Sequence, residues 1–366
     1  MLIKFAVKNF RGFAERIEWD LSQPSNYSFN TYAIKDGIIK NGIIYGPNGS
    51  GKSNFALTIF DIENHLSAKW KKTDYYTNFV YTGAPNSPVE FEYQFKFGND
   101  IIDYRYSKNS IGLLLSESLS VNQKQVFKRD EKTFEIDENQ FKIDAAIKEN
   151  FKQNVNSVSV INFLTASFPF SQDHYIVKLI LFVNSMLWFK NLDSREFIGL
   201  ETASFNLEEF IIQNHYVDDF AEFLAQVSEQ HFKFVAPKEG DKNLYCEIKG
   251  NTIPFLLMAS TGTQALELLF VWIKKMKVAS LVFIDSFDAF YHFRLSLAIC
   301  RLLFRLDCQV FTSSHNTNLM TNDLLRPDCI FILQNNKIKS FQSCTDKELR
   351  FGHNMEKIYK GGGFIC

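Results

Sequence analysis

The chain opens on alternation. Ile3, Phe5 and Val7 are interleaved with Lys4, Ala6 and Lys8, the period of two that marks a half-buried strand. A second apolar run, "GIIY" at 42–45, leads directly into a glycine-rich turn. Further on, "VEFEYQFKFGNDIIDYRYS" (89–107) alternates at Val89, Phe91, Tyr93, Phe95 and Phe97. The Gly98-Asn99-Asp100 triplet supplies the turn of a hairpin. Strand-like text continues to about residue 143. This block predicts a lobe built on a mixed or antiparallel sheet.

From about 144 to 228 the period becomes helical. Two stretches carry it, 175–192 and 207–228. The second puts Leu207, Phe210, Ile211, Phe220, Phe223, Leu224 and Val227 on an apolar side. The first contains the most apolar run of the chain, "YIVKLILFVNSMLWF" (175–189). It includes Lys178 and Asn184 and is too short to span a bilayer, so it predicts a buried helix and no membrane association. No heptad run is long enough for a coiled-coil arm.

The last third alternates short apolar runs with helical periods. "CEIKG" predicts a strand, 260–276 a helix, 281–285 a buried strand, 292–306 a helix and "QVFTSS" (309–314) a buried strand. "CIFILQNNKIKSFQ" (329–342) predicts a hairpin closing at Asn335-Asn336. Buried strands separated by helices imply a parallel sheet in an α/β fold. The expected organisation is a lobe over 1–143, a helical insertion over 144–230 and a second lobe over 231–366, the two lobes forming one unit. No internal repeat or low-complexity tract interrupts it.

Composition fits a chain with a large core: 46% of residues are hydrophobic, 22% are charged, and the 38 phenylalanines fall mostly in the strand and helix patterns. Forty basic residues face 41 acidic ones, so nothing suggests a broadly basic nucleic-acid binder, although a local patch stays possible. The cationic run "KWKK" (69–72) reads as a solvated helix face before it reads as a DNA contact. Cys246, Cys300, Cys308, Cys329, Cys344 and Cys366 show no metal-ligand spacing and read as reduced, mostly buried thiols of a cytosolic protein. The first ten residues lack the apolar core of a signal peptide. The expectation is a cytoplasmic protein.

Candidate chemistry is concentrated in four places. "GPNGSGKS" (46–53) matches the phosphate-binding loop pattern and lies between a predicted strand and helix. Its glycines let backbone N–H groups turn toward phosphates, Lys52 neutralises the β/γ oxygens, and Ser53 offers a hydroxyl to Mg²⁺. Asn48, Gly49, Gly51, Lys52 and Ser53 are therefore the ATP-binding candidates. Asp285 closes an apolar strand, which alone is ordinary, but beside such a loop it is the natural acid on the Mg²⁺ side, acting through water. Ser260-Thr261-Gly262 opens a helix, either as a second anion site or as a plain N-cap. His315 ends another buried strand, within reach of a γ-phosphate or a water.

The order of these elements resembles the ABC-type ATPase heads of the RecF, Rad50 and SMC branch, with Ser260 and Gly262 in the place of the signature motif. The opening "IKFAVKNFRGF" is similar to the first strand of that branch. "FDAFYHF" and "GHNMEKIYKGGGF" resemble small stand-alone AAA-type ATP-binding proteins of bacterial anti-phage and abortive-infection operons. The resemblance covers roughly 1–55 and 255–366 and supplies no Q-loop residue between them. It implies a two-lobed α/β head, an Arg11 near the nucleotide, and ATP with Mg²⁺ as cofactors. It also implies a homodimer or higher homo-oligomer in which Ser260 and Gly262 reach the ATP of the other subunit, Asp288 being a residue of the dimer loop.

The family pattern would place a glutamate after Asp285, where this chain has Ser286. A hydroxyl is a far weaker base than a carboxylate, so binding should survive and turnover should be slow. The catalytic candidates are Asp285, Ser286 and His315. The expected function is a slow ATPase that dimerises around ATP and controls a partner effector, a nuclease or toxin encoded nearby, because the chain carries no such destructive site itself. The alternatives are a non-hydrolysing ATP sensor or scaffold and a RecF-like DNA-repair ATPase. The last needs a basic channel that the charge balance does not suggest.

Overall fold

The computed structural model describes residues 1–67, 73–155, 158–190, 196–201 and 206–364. The cationic run at 69–72 lies outside them.

The chain begins with β1 (Leu2–Lys8) and β2 (Ile17–Asp20), a small hairpin β3 (Ile34–Lys35) and β4 (Ile38–Ile39), then β5 (Asn41–Tyr45). Helices α1 (Lys52–Ile59) and α2 (Asp61–Leu66) follow the phosphate-loop sequence. A meander comes next: β6 (Val89–Phe97), β7 (Asp100–Lys108), β8 (Leu114–Val121), β9 (Lys124–Arg129) and β10 (Phe134–Ile136). The middle of the chain holds α3 (Ala145–Gln153), α4 (Val160–Ser167), α5 (Tyr175–Asn184), β11 (Met186–Lys190), β12 (Phe197–Gly199), α6 (Leu207–Gln213) and α7 (Val217–Ser228). The last part runs β13 (Tyr245–Ile248), β14 (Asn251–Pro254), α8 (Phe255–Met258), α9 (Thr261–Lys275), β15 (Leu281–Asp285), α10 (Phe293–Leu303), β16 (Gln309–Ser313), β17 (Ile330–Gln334), β18 (Lys337–Ser340) and α11 (Met355–Lys360).

Two seven-stranded sheets result. The first has the order β10-β9-β8-β7-β6-β1-β2 and is antiparallel throughout. The second has the order β12-β11-β15-β16-β5-β17-β18. Its inner five strands are parallel and its two edge strands antiparallel. Every residue of β5, β15 and β16 is buried. Continuous apolar runs of that kind need both sheet faces covered. Trp19 of β2 shows how one face is closed. Its ring meets Phe311 of β16 at 4.5 Å, Phe331 of β17 at 5.4 Å and Phe55 of α1 at 5.6 Å. Trp272 of α9 lies 5.5 Å from Phe189 of β11 and 5.3 Å from Phe197 of β12.

A buried ion pair joins β8 and β9 of the first sheet, and its carboxylate ties that sheet to α4. Arg129 Nη2 donates to Glu117 Oε2 at 3.0 Å, both side chains fully buried. The same carboxylate accepts from Tyr104 Oη at 2.8 Å and from the backbone N–H of Val160, in the first turn of α4, at 2.8 Å.

Two helical expectations are corrected. The stretch predicted as one helix over 175–192 is helical only to Asn184; Met186–Lys190 become β11, which pairs in parallel with β15. A run apolar on every side fits a strand buried on both faces as well as it fits a buried helix. The stretch 207–228 is two helices, broken at Asn214–His215, where His215 takes a φ of +57°. The hairpin at 329–342 forms as expected, with Asn335 and Asn336 both left-handed, the geometry a two-residue turn of this type requires. Cys246, Cys300, Cys308 and Cys329 are free and buried, but Cys344 is disulfide-bonded, contrary to the expectation of thiols throughout. Among the described residues no helix is long and apolar enough to cross a membrane.

Candidate nucleotide site

The site is built at the C-terminal ends of three neighbouring parallel strands. β5 leads into the 46–53 loop, β15 ends at Asp285, and β16 lies between them and leads to His315. The loop turns into α1 at Gly51, whose φ of +95° suits only glycine comfortably. A Cβ there would also stand 2.8 Å from the Phe13 ring. Helix geometry leaves the first N–H groups of α1 without intrahelical acceptors and places the positive end of its dipole at the loop.

Lys52 is buried and bends back over its own loop, donating to the carbonyl oxygens of Gly46 at 2.8 Å and Pro47 at 3.2 Å. Burial pushes its ammonium below the ordinary lysine value, while the charge of Asp285 acts in the opposite direction. His315 is held below the ordinary histidine value, by burial first and the Lys52 charge second, with Asp285 opposing. The ring is therefore neutral near pH 7 and available to accept or donate one hydrogen bond at each nitrogen.

Asp285 is fully buried. Its Oδ1 accepts from Ser313 Oγ at 2.5 Å, and its Oδ2 is buried with no hydrogen-bond partner. The Ser50 hydroxyl, inside the loop, is also buried and without a partner. Orphaned polar atoms of this kind are rare in folded proteins and call for an explanation. A cation with its water on one side and a phosphate on the other would satisfy both. Among the described residues no group of three or more His, Cys, Asp and Glu is arranged to hold a metal ion. A cation here would therefore be held by Ser53, by Asp285 through water and by the phosphates themselves, which is how Mg²⁺ accompanies nucleotides. The residues fit that ion.

Ser286 sits immediately beyond, in a left-handed conformation with φ of +53°, its N–H donating to Ser313 Oγ at 2.8 Å. Asp288 is turned inward: its Oδ2 accepts from Ser314 Oγ at 2.8 Å, and burial raises its carboxyl above the ordinary aspartate value. Arg11 reaches α1, where Nη1 donates to Asn54 Oδ1 at 3.1 Å; Nη2 donates to the Tyr75 carbonyl at 3.0 Å. Its Nε is buried without a partner, and burial lowers the guanidinium value. Asn48 is exposed on the loop.

Ser260 and Gly262 stand apart from this group. Ser260 caps α9, its Oγ accepting from the Thr263 N–H at 3.2 Å. Among the described residues no hydrogen bond joins Ser260 or Gly262 to the 46–53 loop, Asp285 or His315. The sequence reading missed Ser313 and Ser314. The signal was present in "FTSSHN" (311–316), two hydroxyls directly before the histidine.

The chain is similar to SMC head domains and RecF. The head from Thermotoga maritima is 14% identical, with a TM-score of 0.44 over 92% of this chain and 97% of that one. The SMC head bound to the C-winged helix domain of ScpA is 14% identical, with a TM-score of 0.46 over 93% and 98%. The recombination mediator protein RecF-ATPrS of the RecFOR pathway is 12% identical, with a TM-score of 0.42 over 93% and 98%. No protein-family model and no curated protein sequence matches the chain.

Proposed function

We propose that this chain is an ATP-binding ABC-type ATPase head that turns nucleotide over slowly and acts as an ATP-dependent switch. One observation carries the reading: the neighbouring strands β5, β16 and β15 put the Lys52 loop and the orphaned Asp285 carboxylate at the same, C-terminal, ends of the core sheet's central strands. The loop amides, Lys52 and the α1 N-terminus bind the phosphates. Ser53 and Asp285 would hold Mg²⁺, which neutralises the phosphate oxygens when bound. Neutral His315 orients the attacking water, and Ser286 offers it a hydrogen bond but no base.

In this reading Ser260 and Gly262, which among the described residues make no hydrogen bond to the 46–53 loop, meet the ATP of a second copy. The ATP-held dimer is the active signal to a partner effector. The defence setting rests on the resemblance of "FDAFYHF" and the C-terminal "GHNMEKIYKGGGF" to stand-alone ATP-binding proteins, and the cytoplasm would be its compartment. Ser286 also favours a second reading, a sensor or scaffold that binds ATP without hydrolysing it.

The test of the nucleotide site is a Mg²⁺-ATP titration of wild type and Lys52→Ala by calorimetry. Loss of charge-assisted hydrogen bonds to phosphate should weaken binding by about ten- to a hundredfold. Equal affinities would overturn the assignment.

A further inference from the structure

The strand that separates the Lys52 loop from Asp285 ends at Ser313 and is followed directly by Ser314, each with 1% of its surface exposed. Successive side chains of a strand leave on opposite sides, so these two hydroxyls serve different neighbours. Ser313 Oγ donates to Asp285 Oδ1 at 2.5 Å and accepts the Ser286 N–H at 2.8 Å. Ser314 Oγ donates to Asp288 Oδ2 at 2.8 Å and accepts the Asn316 N–H at 2.9 Å. Each hydroxyl thus ties one acid of the β15 end to one backbone amide. His315 lies between Ser314 and Asn316, in the turn so held.

We propose that Ser313 and Ser314 are positioning residues, Ser313 fixing Asp285 for the cation and Ser314, through Asp288, holding the turn that presents His315. The inference rests on the nucleotide reading above and deepens it. Ser313 occupies Oδ1 and leaves Oδ2 as the oxygen that remains for the Mg²⁺ side. A carboxylate rotated freely about its last bond would present either oxygen, and a cation that takes octahedral water geometry tolerates little misplacement. By accepting the Ser286 amide, the same hydroxyl also fixes the left-handed residue that stands where a catalytic glutamate would. Asp288, with its carboxylate turned inward on Ser314, is taken up by this clasp and does not replace that glutamate.

A plain structural role would destabilise the fold and weaken nucleotide binding with and without metal alike. A positioning role separates the two. The experiment titrates a fluorescent ATP analogue into full-length wild type, Ser313→Ala and Ser313→Thr, first in EDTA and then over a Mg²⁺ series. For Ser313→Ala, affinity in EDTA should match wild type. Its half-saturating Mg²⁺ concentration should rise about tenfold, the scale of one hydrogen bond to a charged group. Ser313→Thr, which keeps the hydroxyl, should restore the wild-type Mg²⁺ dependence. If Ser313→Ala does not fold, Ser313→Cys, close in size and a weak donor, should show the same shift. An unchanged Mg²⁺ dependence, or an equal loss in EDTA and in Mg²⁺, overturns the clasp while leaving the nucleotide site standing. Wild-type binding that does not depend on Lys52 overturns both.

Discussion

A Cβ added to Gly262 would stand 3.1 Å from the carbonyl oxygen of Phe290, so the loop after β15 closes directly over the first turn of α9. Tyr291 of that loop reinforces the contact, its hydroxyl donating to the Ala265 carbonyl at 3.0 Å. The start of α9 and the segment that follows Asp288 therefore pack together into one surface. In the proposed dimer this surface meets the nucleotide of the second copy. Gly262→Arg should bind Mg²⁺-ATP as wild type does but show no ATP-dependent association in sedimentation velocity. Gly262→Ala, a small local adjustment, should still associate. Association by the arginine variant would remove Gly262 from the interface.

The ion pair of Glu117 and Arg129 makes a separate prediction about stability. Both side chains have no exposed surface, and the carboxylate also caps α4. Arg129→Met leaves a buried carboxylate without its cation, a loss of about 3 kcal/mol or more in the urea-derived unfolding free energy. Adding Glu117→Gln to that variant should recover part of the loss, because the amide buries no charge; the recovery is partial because Tyr104 and Val160 donate to different carboxylate oxygens and the amide keeps only one of them.

Asp288 predicts the sign of a pH effect. Burial raises its carboxyl in the folded state, against the opposing hydrogen bonds from Ser314 and Asn316. The folded state therefore holds the proton more tightly than the unfolded one, and stability falls as pH rises out of the ordinary aspartate range. Wild type should lose stability relative to Asp288→Asn as pH rises above the ordinary aspartate range, measured as the difference in urea midpoint. A difference that grows in favour of wild type as pH rises would mean the ionised carboxylate is the stabilised form.

The parts of this molecule legible in the sequence are those set by local chemistry. The 46–53 loop is contiguous and its glycines, lysine and serine each have one physical use. Asn335-Asn336 between two apolar runs specifies its hairpin, and the alternation at 89–107 specifies another. What the sequence hides depends on distant partners. β11 follows α5 after a single residue, and Met186 to Phe189 are apolar on both faces, so no period separates helix from strand until β15 pairs with it. β16 pairs with the nearby β15 but also, in parallel, with β5 more than two hundred residues earlier in the chain. That strand pairing brings Ser313 to Asp285, and the packing of the first sheet's start against α1 brings Arg11 to Asn54; neither is readable from local sequence.

The central claim is that this site binds ATP and hydrolyses it slowly because Ser286 stands in place of a carboxylate. Single-turnover hydrolysis of radiolabelled ATP, with enzyme in excess of nucleotide, reads both halves at once for wild type and Ser286→Glu. The account predicts that both proteins hold the nucleotide, that wild type releases phosphate slowly, and that the glutamate variant is faster by about a hundredfold, the scale of one restored catalytic group. A wild type that turns over as fast as Ser286→Glu, or that holds no nucleotide, would contradict it.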